Sequence, residues 1–74
     1  MRTEDVKITT EYIKLDQLLK FSGAAMTGAE AKDMILSGMV FVGGAPCEMR
    51  GKKMRPGDSC EVRFDDEPML IRVS

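Results

Sequence analysis

The sequence lacks the residues on which most enzyme chemistry depends. It contains no histidine and no tryptophan, and only two cysteines among its 74 residues. No nucleophile is spaced beside a base, and no phosphate-binding glycine loop is present, so little supports acid–base or nucleophilic catalysis. Cys47 and Cys60 lack the paired spacing of a zinc site and supply too few ligands. We expect no enzyme activity, metal, cofactor or small-molecule substrate.

Long apolar runs are absent as well. No segment approaches the roughly 20 apolar residues that a membrane-spanning helix needs, and the N-terminus has no secretory signal with an apolar core. We therefore expect a cytoplasmic protein that does not bind membranes, with both cysteines as small buried or half-buried side chains. The sequence alone leaves a disulfide between them open.

The length predicts one domain with one small core, because a chain of this size buries only about 60% of its unfolded surface. Charged residues make up 31% of the chain and hydrophobic residues 43%, as in an ordinary soluble domain. No internal repeat or domain boundary is apparent. We expect residues 1–74 to form one monomeric unit.

The charges are distributed unevenly, although the net charge is only −1. One short window contains four basic residues and no acid, namely Arg50, Lys52, Lys53 and Arg55. A separate acidic run follows at Asp65, Asp66 and Glu67. Such a basic window is typical of a phosphate-binding surface, but it also occurs on loops that are merely solvated.

Two short helices are predicted from the apolar spacing. Leu15, Leu18 and Leu19 recur at helical intervals, and Gly23 offers an end to the first helix. Thr27 and Glu30 form a capping-box pattern that predicts the start of the second helix. Its buried face is predicted to contain Ala31, Met34 and Ile35, and its stop to be Gly38.

Strands are predicted on both sides of this helix pair. The first is expected at Val6–Thr10, where it would pair with the C-terminal end. Residues 39–42 and 45–47 flank Gly43 and Gly44 as a β-hairpin, in which Pro46 favours an edge position. After a turn at residues 56–58, two further strands are expected at residues 59–64 and 69–73. The fold class is α+β, with two short antiparallel helices on a small, mostly antiparallel twisted sheet.

The order of these signals resembles the S4-type RNA-binding domain, named for a ribosomal small-subunit protein. The resemblance covers residues 14–58: Lys14-Leu15-Asp16 before the first apolar face, Thr27 opening the second helix, the strand that ends at Gly43-Gly44, and Gly57-Asp58. Within that family the chain is most similar to the small stand-alone bacterial members, of the YaaA type. The resemblance implies a basic surface that binds structured RNA, ribosomal RNA above all, in ribosome assembly or translation.

The resemblance also implies roles for individual residues. Lys14 stands where the family has a basic residue at the start of the first helix, Thr27 matches a small hydroxyl residue, and Lys32 lies on the polar side of the second helix. Many members carry an arginine after that hydroxyl, where this chain has Gly28. We therefore expect RNA contact to depend on the following residues: Lys14, Lys20, Thr27, Lys32, Arg50, Lys52, Lys53 and Arg55.

Two other functions remain open on the sequence. A protein adaptor could use the same basic loop on an acidic partner, which only a binding assay distinguishes from RNA binding. A ubiquitin-like sulfur carrier is disfavoured because such carriers end in Gly-Gly, whereas this chain ends in Val73-Ser74. The aromatic residues, Tyr12, Phe21, Phe41 and Phe64, are too few for a platform that stacks single-stranded bases, and we expect them in the core. Five methionines (Met26, Met34, Met39, Met49 and Met54) are expected to fill the core and its rim.

Overall fold

A computed structural model describes residues 2–74 and contains two helices and seven short strands. The first strands are β1 (Arg2–Val6) and β2 (Ile13–Lys14), followed by helices α1 (Leu15–Phe21) and α2 (Gly28–Leu36). The remaining strands are β3 (Val40–Val42), β4 (Ala45–Pro46), β5 (Lys53–Met54), β6 (Ser59–Arg63) and β7 (Pro68–Val73). The α+β class, with two helices and a mostly antiparallel sheet, is confirmed.

Five of the strands form the main sheet, in the order β1-β7-β6-β3-β4. β1 pairs with β7 in parallel, and the other neighbours in this sheet are antiparallel. The predicted pairing of the N-terminal strand with the C-terminal end is confirmed. Its predicted bounds, Val6–Thr10, are wrong, because only Val6 belongs to the strand and residues 7–12 form a connection.

The hairpin between β3 and β4 has the predicted turn. Gly43 and Gly44 have φ angles of 64° and 84°. Positive φ at both central positions is required by the tight turn that matches strand twist, and glycine adopts it without steric cost. Pro46 lies in β4 at the edge of the sheet, as predicted from its missing N–H donor.

One core joins the helices to the main sheet and to a second, two-stranded sheet formed by β2 and β5. The predicted helix faces are confirmed, since Leu15, Leu18 and Leu19 of α1 and Ala31, Met34 and Ile35 of α2 are buried. They pack in one cluster with alternate residues of β6 and β7, among them Val62 and Ile71. Each helix is too short to be stable alone, so this shared core must hold both in place.

The structure corrects the prediction for several large apolar side chains. Phe21 is 65% exposed rather than buried, and Tyr12 and Phe41 are only half-buried, whereas half-buried Phe64 packs against the core as predicted. Met34 and Met54 lie in the core, but Met26 and Met49 are 84% and 68% exposed. The reason is positional: Phe21 ends α1 beyond its buried stripe, and Met26 and Met49 lie in connections.

The two cysteines are free thiols, one half-buried and one buried, as expected for small interior side chains. Burial, with a smaller contribution from nearby Cys47, raises the pKa of the Cys60 thiol from 9.0 to about 12. The folded protein therefore keeps this proton at pH values where an unfolded chain loses it.

Cys60 should consequently make stability sensitive to alkaline pH. The native pKa is raised, so the stabilisation is complete below pH 9.0 and is lost as pH rises towards about 12. We expect the free energy of unfolding of Cys60→Ala, measured by urea titration, to decline less steeply across this interval than that of the parent. A Cys47→Ala control should keep most of the decline. Equal slopes for Cys60→Ala and the parent would contradict the assignment.

Candidate nucleic-acid interface

The start of α1 is fastened to the basic window by backbone hydrogen bonds. Lys14, the N-cap residue, provides no side-chain cap. Instead, the Leu15 N–H donates to the Lys52 carbonyl at 2.9 Å and the Asp16 N–H donates to the Arg50 carbonyl at 3.1 Å. These two donors would otherwise lack helical partners. The helix start therefore holds the backbone of the basic window in a fixed place.

A two-residue ladder between β2 and β5 adds Lys14 to this region. Ile13 pairs with Met54 and both are buried, whereas Lys14 pairs with Lys53 and both are exposed. Directly opposed residues have Cβ atoms about 4.5 to 5.5 Å apart, and like charges in such a pair repel. A bound anion would relieve that repulsion, so the pair is suited to a phosphate.

Three further cations lie within three residues of Lys53 in the chain. Arg50 and Arg55 are exposed and Lys52 is half-buried. We call these three residues together with Lys14 and Lys53 the basic face. Among the described residues, Arg63 forms an ion pair with Glu61. No carboxylate oxygen of these residues lies within 4.0 Å of a charged nitrogen of the basic face. Their charges remain accessible to a ligand.

The acidic run lies away from the basic face. The turn after Arg55 leads into one end of β6, and residues 65–67 follow its other end. Five strand residues separate the two ends by on the order of 15 Å. The turn itself is held by Asp58, whose Oδ2 accepts from the Arg55 N–H at 2.8 Å. The basic window and the acidic run at residues 65–67 therefore lie at opposite ends of β6.

The start of α2 is already occupied by its own side chains. Thr27 Oγ1 accepts from the Glu30 N–H at 3.1 Å, which confirms the predicted cap. The Glu30 carboxylate accepts from the Met26 N–H at 3.3 Å and places a negative charge at the positive end of the helix. Gly28 contributes no cation here. This helix start is therefore poorly suited to a phosphate, and Thr27 acts as a cap.

Replacing Thr27 distinguishes its role as a helix cap from a role in phosphate contact. Thr27→Ala should lower the free energy of unfolding by about 1 kcal/mol, the usual loss for an N-cap hydroxyl. RNA affinity, measured where both proteins are fully folded, should not change, and Thr27→Ser should retain the stability. A loss of affinity in folded Thr27→Ala would instead indicate a phosphate contact.

Two of the cations predicted from the sequence lie outside the basic face. Lys20 is exposed in the last turn of α1, where a positive charge stabilises the helix dipole. Lys32 is exposed on α2 and makes no hydrogen bond or ion pair with the described residues. The structure therefore brings together Lys14 and the four cations of the window, but it does not link Lys20 or Lys32 to them.

Two aromatic rings are covered by cations. The Lys53 Nζ atom lies 5.0 Å from the centre of the Tyr12 ring, and the Arg63 guanidinium lies 3.7 Å from that of Phe41. Arg63 also binds Glu61, with 2.9 Å between Nε and Oε1. Tyr12 was predicted to lie in the core, and its contact with Lys53 is not evident from the sequence.

Among residues 2–74, neither helix is long and apolar enough to cross a membrane. A search of curated proteins found no match. The family model described as the S4 domain matches residues 6–72, which include both helices, the basic window and every strand except most of β1 and the last residue of β7. The chain therefore belongs to the S4 domain family, whose domain binds RNA.

Proposed function

We propose that this protein is a non-catalytic RNA-binding protein that docks its basic face on structured RNA, with ribosomal RNA as the target class. Its role would lie in ribosome assembly or translation, in the cytoplasm, and it would act as a monomer. Within the family we assign it to the small stand-alone bacterial members, of the YaaA type. Membership in the S4 domain family supports RNA binding in general. The observation that carries the proposal further is the pairing of Lys14 with Lys53 between β2 and β5. It lies beside the basic window, whose backbone is hydrogen-bonded to the start of α1.

The backbone of the basic face is held in place, which favours a partner of fixed shape. The carbonyls of Arg50 and Lys52 accept hydrogen bonds from α1, so the points from which these side chains extend are fixed. Such a surface matches the fixed spacing of phosphates on a folded RNA better than the variable spacing on a flexible strand. A single strand is usually bound by successive aromatic platforms. Here Tyr12 and Phe41 already contact cations, which leaves no such series in residues 2–74.

The number of cations predicts the salt dependence of binding. If the five residues of the basic face each contact about one phosphate, log K should fall with log salt at a slope of about −3 to −5. Filter-binding or anisotropy titrations with a stem-loop RNA at several salt concentrations would measure this slope. Affinity that does not change with salt would contradict contact through the basic face.

The identity of the target can be tested by crosslinking the tagged protein to RNA in cells and sequencing the recovered RNA. We expect reads concentrated on folded segments of ribosomal RNA. Enrichment of messenger or other non-ribosomal RNA would overturn the proposed target class. If no RNA is recovered and purified protein binds an acidic protein through the same cations, the adaptor function would replace the proposal.

A further inference from the structure

An open groove lies directly beside the basic face. It is formed by the connection before β2, by β2 itself and by one side of α1, and has a volume of about 460 Å³. Tyr12 and Phe21 provide aromatic walls, and Lys14 and Gln17 are also part of the lining. We call this the aromatic groove. Its volume falls within the range of about 300 to 1,000 Å³ that is typical of ligand sites.

Phe21 gives the groove an accessible ring. Its side chain is 65% exposed, although burial in the core would be more favourable for so large an apolar group. Tyr12 forms another wall and is already held by the ammonium group of Lys53. The accessible Phe21 ring can hold a planar ring by stacking, with Tyr12 as the wall beside it.

The polar groups of the groove differ in what they can offer. The Thr10 hydroxyl already donates to the Tyr12 carbonyl at 2.9 Å. The half-buried Gln17 side chain makes no hydrogen bond with the described residues, so its amide can both donate and accept. The Glu11 carboxylate also lines the groove and can accept hydrogen bonds. Together these groups suit the edge of a heterocyclic ring better than a purely apolar ligand.

The groove is continuous with the basic face because Lys14 belongs to both and Lys53 contacts a ring of the groove. Lys14 lines the groove and opposes Lys53 in the ladder, and Lys53 in turn contacts the Tyr12 ring. A ligand that places a flat ring in the groove would therefore have its attached anionic groups beside Lys14 and Lys53. A nucleotide has this combination of a planar base and a charged phosphate.

We propose that the aromatic groove receives one unpaired base of the structured RNA, with the flanking phosphate on Lys14. This inference rests on the proposed function and adds a specific feature of the target, an extruded nucleotide next to a duplex. Bases within an A-form duplex are poorly accessible, whereas unpaired bases stack on aromatic side chains and expose their edges. Phe21 supplies the stacking surface and Gln17 contacts the base edge.

Two RNA probes test the proposal. One is a stem-loop with a single bulged 2-aminopurine nucleotide, and the other is the same stem-loop fully paired. The parent protein should bind the bulged probe more tightly and change its 2-aminopurine fluorescence. Phe21→Ala should weaken binding of the bulged probe about 5- to 150-fold, the range for loss of one stacked base, and remove the fluorescence change. Its affinity for the paired probe should not change.

Leu36→Ala is the matched control, because Leu36 is 53% exposed on the other helix and lies outside the groove. It should bind both probes like the parent, and circular dichroism should show that both variants are folded. If the parent binds both probes equally, or if Phe21→Ala retains the preference for the bulge, the groove does not hold a base. In that case salt-sensitive binding of both probes would leave the proposed function intact, whereas failure to bind either probe would overturn both.

Discussion

Replacing Lys52, Lys53 and Arg55 with glutamine is expected to remove most RNA binding and to leave the fold intact. By counterion release each phosphate contact contributes about fivefold to tenfold in affinity at about 0.1 M salt, so three lost contacts should weaken binding about 100- to 1,000-fold. The slope of log K against log salt should become shallower by about 2 to 3. Anisotropy titrations of the parent and the variant against the same stem-loop RNA would measure both quantities.

The stability of this triple variant should change little. Lys53 and Arg55 are exposed, and glutamine retains part of the aliphatic stem of Lys52. Loss of the contact between Lys53 and Tyr12 costs about 0.5 to 1 kcal/mol at most, and relief of the repulsion between Lys14 and Lys53 offsets part of that.

A matched control removes three cations elsewhere. Arg2, Lys7 and Arg72 are exposed on or beside the paired strands β1 and β7. Their triple glutamine variant has the same net charge as the basic-face variant. It should retain most of the affinity and most of the salt slope. Equal losses in both variants would mean that net charge, and not the basic face, determines binding.

Leu18→Ala and Ile35→Ala are each expected to lower the free energy of unfolding by about 2 to 5 kcal/mol. Both side chains are fully buried in the shared core, and the cavity left by alanine adds to the lost burial of apolar surface. A domain of this length has a total stability of only about 4 to 11 kcal/mol. Chemical denaturation should therefore show either variant to be severely destabilised.

Leu36→Ala tests whether burial is the cause. Leu36 lies on the same helix as Ile35 but is 53% exposed, so its replacement should cost less than about 1 kcal/mol. Denaturation midpoints of Leu18→Ala and Ile35→Ala that equal the parent value would show that the assigned helix faces are wrong.

Local signals in the sequence were sufficient for the helices and the hairpin. Thr27 caps the start of α2, and Gly38, with its positive φ, ends it. Both signals depend on neighbouring residues alone. β1 could not be placed in the same way, because residues 2–5 are exposed and show no alternation of burial. Its strand conformation depends on pairing with β7 at the far end of the sequence.

In the candidate site too, local sequence signals predicted one part, and contacts between distant segments determine the other. The basic window is contiguous in the sequence, so its cations could be identified from spacing alone. The proximity of Lys14 to Lys53 could not be predicted from the sequence. It results from a two-residue strand pairing and two backbone hydrogen bonds that join distant segments. The exposure of Phe21 was also not predictable, since its position at the end of α1 decides whether it reaches the core.

The most direct test of the central claim is to crosslink the protein to RNA in cells and identify the crosslinked peptides by mass spectrometry. We predict that the RNA-bearing peptides map to the basic face, at residues 50–55 and at Lys14 in β2. Crosslinks concentrated instead on Lys32 and the exposed side of α2, or on β1 and β7, would contradict the account, because RNA would then bind a different surface of the domain.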